Sequence, residues 1–349
     1  MKKISFFLLF CFLFSCSNKN GTNTVMGLFP EMHSSIEKEV TMEFDSIRNP
    51  YMIACVKGTL LLADIFQPTF MTAFDEETGK YMGNFLTKGN GPGEFIHLLS
   101  MQKVGEKLFV WDSGSSNIGI IDINKDSIGS YTSELIPLRQ DSTFISAFQV
   151  FPLNENYFVS SGVIKGNRFA ILDNQGKAIS FFGEYPESDS GKEKSDVELA
   201  LSNQCSYAYQ SEKHILAVAN GMGENIQFYN LSDIRSPQLI KEYNYSSPRY
   251  NVDEDGSVAF QKENIIGFTE LLSSSKYCIG FFLGEALKDP RGYGSNKLLF
   301  FDWDGNPVKA TLLSNTYSNI TINEEENKVY LLGKDSKTAD FKIYAADIE

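Results

Sequence analysis

Three histidines, His33, His97 and His214, are all the imidazole that this 349-residue chain offers, and no two are spaced as a metal pair or a catalytic couple. Structural or solvent-exposed places suit them. No G-x-S-x-G elbow is present, which argues against a serine hydrolase, and no C-x-x-C or Cys/His cluster suggests zinc. The acidic turn 302–306 lacks the spacing and terminal glutamate of a calcium loop, so neither metal nor cofactor is expected. What remains is recognition chemistry on loops. Asp64, Asp112 and Arg168 stand where apolar runs give way to polar connections, and the long segment 284–296 contains Lys288-Asp289-Pro290-Arg291-Gly292-Tyr293. Arg291 has the planar fork that clamps a carboxylate or sulfate, and Tyr293 a ring that stacks on a sugar or an aromatic group. The same residues also suit a bland role, Arg291 paired with an acidic neighbour and Tyr293 covering the core.

Such loops need a rigid scaffold. From about Ile36 onward the chain is a series of short apolar or alternating runs separated by Gly, Asn, Asp and Pro, the pattern of strands joined by tight turns, and long amphipathic helices are absent. One hairpin recurs: Met71-Thr72-Ala73-Phe74-Asp75 leading to Gly79, Arg168-Phe169-Ala170-Ile171-Leu172-Asp173 leading to Gly176, and Leu298-Leu299-Phe300-Phe301-Asp302 leading to Gly305. With a degenerate copy at 120–126, the period is about 48 residues, the length of a four-stranded propeller blade. The expected fold is all-β, a six-bladed β-propeller whose inner strands lie near 50–56, 97–104, 144–151, 203–209, 264–272 and 317–322. The last unit runs out after three strands. Residues 39–44 are expected to supply the fourth, an N-terminal strand joining the last blade and closing the ring. Two packed β-sandwiches are the alternative, against which no composition break appears near the middle. Of the two long connections, 187–194 reads as a solvated loop, with 195–198 able to cap one short helix.

The chain start carries Lys2 and Lys3, an apolar run over 4–14, then Ser15 and Cys16. These are the parts of a secretory signal, and about 11 apolar residues cannot span roughly 30 Å of hydrocarbon. Leu13-Phe14-Ser15-Cys16 resembles a bacterial lipobox, which implies that Cys16 becomes an acylated first residue. The expected organisation is a signal peptide over 1–15, a lipidated tether over 16–35 and the propeller over 36–349. Cys55, Cys205 and Cys278 lie in or beside apolar runs and read as buried free thiols. Forty-four Asp and Glu against 31 Lys and Arg give a formal charge of −13, which makes nucleic acid an improbable partner.

Further stretches carry a family resemblance. Phe85-Leu86-Thr87-Lys88-Gly89-Asn90-Gly91-Pro92-Gly93-Glu94-Phe95 resembles the blade junction of NHL-type propellers; a phosphate-cradling glycine loop would need a helix after Phe95, where no helical pattern follows. Together with Ala208-Tyr209-Gln210, Phe301-Asp302-Trp303-Asp304-Gly305-Asn306-Pro307-Val308 and the lipobox, the chain resembles the TolB-like six-bladed propeller lipoproteins of Bacteroides-type bacteria. The resemblance implies a fold and a location but supplies no catalytic residues. Ser17 in place of an aspartate implies the outer membrane, and the lack of an acidic cluster after Cys16 favours the periplasmic leaflet, with the cell surface as alternative. The expected function is that of a non-enzymatic binding propeller, held to the membrane through lipid on Cys16 and recognising a peptide, glycan or envelope protein on its loop face. A propeller lyase or hydrolase working in the central channel is the alternative, and three or more convergent His, Asp or Glu side chains would favour it.

Overall fold

Strands Thr59–Asp64, Ile215–Asn220 and Glu224–Asn230 are buried along nearly their whole length. A strand that is apolar on both faces needs a sheet packed on either side, and in this chain the neighbouring repeat units are those sheets. The structure is a computed structural model that describes residues 23–43, 48–186, 194–287, 294–325, 327–335 and 337–348. It shows six antiparallel blades in a ring. Blade 1 is Pro50–Val56, Thr59–Asp64, Thr69–Asp75 and Tyr81–Thr87; blade 2 is Leu98–Val104, Lys107–Asp112, Asn117–Asp122 and Thr132–Pro137. Blade 3 is Phe144–Pro152, Tyr157–Ile164, Phe169–Asp173 and Ala178–Phe182; blade 4 is Cys205–Gln210, Ile215–Asn220, Glu224–Asn230 and Gln238–Ser246. Blade 5 is Ile265–Ser273, Tyr277–Ala286, Ser295–Asp302 and Pro307–Tyr317; blade 6 begins with Asn319–Asn323, Lys328–Lys334 and Phe341–Asp347. The six inner strands fall within a few residues of their expected positions.

Each contact between adjacent blades holds its own apolar cluster. Met71 and Phe85 meet Phe95 and Leu108 between blades 1 and 2, while Leu62 and Phe74 meet Tyr330 and Ile343 between blades 1 and 6. The other four contacts are built alike. A twisted four-stranded sheet leaves both faces partly bare, so burial is complete only when the ring shuts. Lys38–Val40 shuts it, pairing antiparallel with Phe341–Asp347 in the register Lys38 to Ala345 and Val40 to Ile343. The pairing stops at Val40, short of the expected end at Phe44, which lies outside the described residues.

The body also reaches further toward the chain start than residue 36. Met32–Ser34 adds a fifth, parallel strand to blade 5. Before it, a 3-10 turn over Val25–Leu28 places Val25 and Phe29 in the cluster between blades 4 and 5, with Phe29 edge-on to Phe301 at 5.3 Å. The Val25 N–H donates to Glu224 at 3.1 Å, a carboxyl that burial pushes above its ordinary range. Within 25–34, expected in the tether, Val25 and Phe29 are thus packed into the propeller and Met32–Ser34 is paired to it. Cys55, Cys205 and Cys278 are buried thiols that take part in no disulfide, as expected.

The recurring hairpin joins blade to blade. Asp173 accepts from the Gln175 and Lys177 N–H groups, shaping the turn, and Asp302 does the same with Asp304 and Asn306. Gly176 sits at φ +71°, and its carbonyl accepts the Arg139 N–H, just past the last strand of blade 2, at 2.8 Å; Gly79, at φ +68°, accepts from the Glu43 N–H at 3.0 Å. A Cβ on Gly176 would collide with the Pro137 backbone, whereas one on Gly166, at a similar φ of +68°, would meet open space. Gly166→Ala is therefore expected to cost about 1–2 kcal/mol, from backbone strain alone. Gly176→Ala should cost about 3–4 kcal/mol, because the blade contact must also give. Urea unfolding of both variants measures the difference, and equal costs would show that the hairpin is no blade-to-blade contact.

Candidate functional site

Asp64 and Asp112 do not present themselves to a ligand. Both are fully buried, and both accept from backbone N–H groups just upstream of the inner strand of their own blade. Asp64 takes those of Arg48 and Asn49, at 2.8 and 3.0 Å, plus Phe66; Asp112 takes Ile96 and His97, at 2.9 and 2.7 Å, plus Gly114. A carboxylate that accepts three N–H donors ties a loop to the strand entry below it. Arg168 is likewise internal, 1% exposed between blades 3 and 4. Its guanidinium donates to Gln227 at 2.6 Å and to Asn220, and lies 4.8 Å over the Phe169 ring. Gln227 passes the contact on to Glu242 at 2.9 Å. Around it, burial pushes the Tyr185 and Tyr229 phenols up to about 12, so both stay protonated. Cys16, Arg291 and Tyr293 lie outside the described residues. The structure thus does not bring Asp64, Asp112 and Arg168 together.

The histidines stand apart from one another in structural places. His97 lies 3.1 Å from the Ser113 hydroxyl, His214 lies 3.3 Å from the Tyr209 hydroxyl in a turn at φ +56°, and His33 is exposed on the added strand of blade 5.

What the ring does build is a roofed chamber at one mouth of its channel. Two insertions form the roof. Between blades 3 and 4, Ser195 caps a helix over Asp196–Ser202, its hydroxyl accepting the Glu198 N–H at 3.2 Å, as the sequence suggested. Between blades 4 and 5, Tyr250–Val252 and Val258–Phe260 pair as a small hairpin. The two pieces lock together: the Tyr250 hydroxyl donates to Glu198 at 3.0 Å, and the Lys194 ammonium lies 4.8 Å over the Tyr250 ring. Ser202 and Phe260 turn inward from this roof and, with Met222 from the turn between Asn220 and Glu224 of blade 4, line a cavity of about 530 Å³. Its walls are inner-strand residues, among them Met52, Met101, Phe151, Phe268 and Leu272, with Gln149, Gln204 and Ser206 as polar points.

Among the described residues, one acid reaches this chamber. Glu270, from the inner strand of blade 5, comes within hydrogen-bonding reach of Gln102, from the inner strand of blade 2. In a ring of six those blades face each other, so the contact spans the channel. Glu270 is half-buried because it opens on the cavity, yet protein encloses its carboxyl; loss of water pushes it up to about 7, against the pull of the Gln102 amide. Tyr51, also on the lining, is pushed up to about 12 by burial and then by the Asp64 charge. The sequence reading did not single out Glu270. The signal was present, an acid inside the apolar run 268–272. For the lyase or hydrolase alternative, the described residues supply this single carboxyl, and no group of three His, Cys, Asp or Glu side chains among them could hold a metal.

A family model described as TolB-like 6-blade propeller-like matches residues 29–325, the whole ring except the last two strands of blade 6. The chain belongs to this family. Among solved structures, a member of the DUF4221 family from Bacteroides vulgatus is similar to this TolB-like propeller at a TM-score of 0.57 and 11% identity, covering 90% of this chain and 98% of that one. A protein from Bacteroides fragilis whose name describes it as exported aligns at a TM-score of 0.55 and 11% identity, covering 90% and 94%. At such identity the likeness is one of fold. No curated protein matches the TolB-like chain. Among its described residues, no helix is long and apolar enough to cross a membrane.

Proposed function

We propose that this TolB-like chain is a lipid-anchored, non-enzymatic binding propeller of the cell envelope, with its ligand seat in the roofed chamber at the channel mouth. The observation that carries the reading is the chamber itself. At about 530 Å³ it has the size of a small-molecule site, with apolar walls and a few converging polar groups. It lies on the face built by loops between strands and blades, where recognition was expected, but at the centre rather than on the loop acids. Its size suits a small ligand, or the end of a peptide or glycan. Envelope placement is supported by the secretory start of the sequence, by Cys16 within its lipobox, and by the exported description of the Bacteroides fragilis protein of the same fold. A periplasm-facing outer-membrane site is the preferred placement, and the cell surface the alternative.

Leu99 tests the seat. It lines the chamber yet is 43% exposed, so a larger side chain there fills the cavity without crowding the core. Peptides or glycans captured by the full chain in detergent on an array should be lost with Leu99→Trp at an unchanged melting temperature. Capture that survives Leu99→Trp would place the ligand elsewhere. For the anchor, Cys16→Ala should move the protein from the membrane pellet to the soluble fraction and abolish labelling by a radioactive fatty acid; an unchanged pellet would refute lipidation.

A further inference from the structure

We infer that the chamber takes a ligand carrying a protonated nitrogen on an apolar body, with Glu270 as the anion that receives it. This rests on the chamber being the ligand seat, and it names the ligand's class. Among the described residues, Glu270 is the one carboxylate on the chamber lining, set at the inner wall beside Gln102. Enclosure pushes its carboxyl up to about 7, the behaviour of an anion that lacks a counter-charge. Beside it, Gln149 and Ser206 each keep a buried side-chain oxygen without a hydrogen-bond partner. The amide oxygen of Gln149 can only accept, and the Ser206 hydroxyl, like the equally unpartnered Tyr207 hydroxyl, can accept or donate, so together with the Glu270 carboxylate they can meet a donor-rich ammonium. The walls meet the other half of such a ligand: Met52, Met101 and Met222 are adaptable apolar surfaces, while Phe151 and Phe268 offer rings to a cation or its apolar stem. Other titratable residues on the lining are Lys103, Tyr51, Cys205 and Tyr207. Burial holds both tyrosines protonated, Tyr207 well above its ordinary range, and Lys103 is an exposed residue next to Gln102.

Three probes of one shape separate the possibilities: tryptamine, its neutral hydroxyl counterpart tryptophol, and the anionic indole-3-propionate. Each is titrated calorimetrically into the full chain in detergent, with titration into micelles alone subtracted. At pH 8.5, where Glu270 is ionised, tryptamine should bind at least about tenfold more tightly than tryptophol, the worth of one partly desolvated ion pair. Lowering the pH to 6 should weaken tryptamine by about tenfold, because a proton then competes for the carboxyl. In Glu270→Gln, the amine and the alcohol should bind alike, and the pH dependence should vanish. If tryptophol or indole-3-propionate binds as well as tryptamine, and Leu99→Trp removes that binding, the amine class is refuted while the chamber remains the seat. If tryptamine is preferred equally by Glu270→Gln, the assignment of Glu270 fails. If no probe binds, both the class and the seat are overturned.

Discussion

Glu270→Gln is expected to make the propeller more stable at pH 8 by about 2–3 kcal/mol, and to leave it unchanged near pH 4. In the unfolded chain the carboxyl ionises with an ordinary pKa of 4.5; in the fold, enclosure raises it to about 7. The folded state therefore holds a proton that the unfolded state releases between those values. Stability associated with this group is fully present below pH 4.5 and falls as pH rises toward 7. Each tenfold change in proton affinity is worth about 1.4 kcal/mol, and water entering the chamber trims the total. Glutamine cannot ionise and keeps an amide for Gln102, so the variant escapes the loss. Acids held low by partners, such as Asp75 through Thr78 and Lys125, contribute in the opposite sense, but they cancel when the variant is compared with the parent. Urea denaturation of both proteins at pH 4.5, 6 and 8 measures the gap. A gap that does not widen with pH would mean that water solvates Glu270 freely. A chain that retains so costly a group at its channel is behaving as binding sites do, holding chemistry at the expense of stability.

Arg168→Ala should cost about 3–5 kcal/mol and leave tryptamine binding untouched. The substitution removes a guanidinium from between blades 3 and 4, strands the Gln227 and Asn220 oxygens that it satisfies, and opens a cavity beside Phe169. Arg168→Lys should recover less than half of the loss, since one ammonium cannot reproduce a fork that reaches two acceptors. Chemical unfolding gives the stability and calorimetry gives the binding. Normal stability with lost binding would instead return Arg168 to the recognition surface, where its loop position in the sequence had suggested it belonged.

The ring itself was legible in the sequence. Strand-length apolar runs, the Asp-to-Gly hairpin and its spacing together require like modules, because each hairpin needs glycine where it touches the neighbouring blade, as Gly79 and Gly176 show. Closure by the chain start was legible too, since the last unit lacked one strand and Val40 lay in a spare one. The arm before it was not: Val25-Met26-Gly27-Leu28-Phe29 is a short apolar run, but nothing local reveals that blades 4 and 5 leave a groove for it.

The site escaped the sequence for a different reason. Alternation tells which side of a strand a residue takes only while the register is regular, and the inner strand of blade 5 shifts register between Ile266 and Phe268 and again between Phe268 and Glu270. Those irregularities decide where Glu270 points. Its neighbour Gln102 comes from the blade across the ring, a meeting that depends on the number of blades and on no pattern near either residue. Asp64 and Asp112 mislead in the same way, for a polar residue at a strand end looks identical whether it faces solvent or accepts N–H groups from 15 and 16 residues upstream. Side-chain periodicity along the chain determined the modules and their order; the direction in which a given acid faces was decided only when six twisted sheets closed around a common axis.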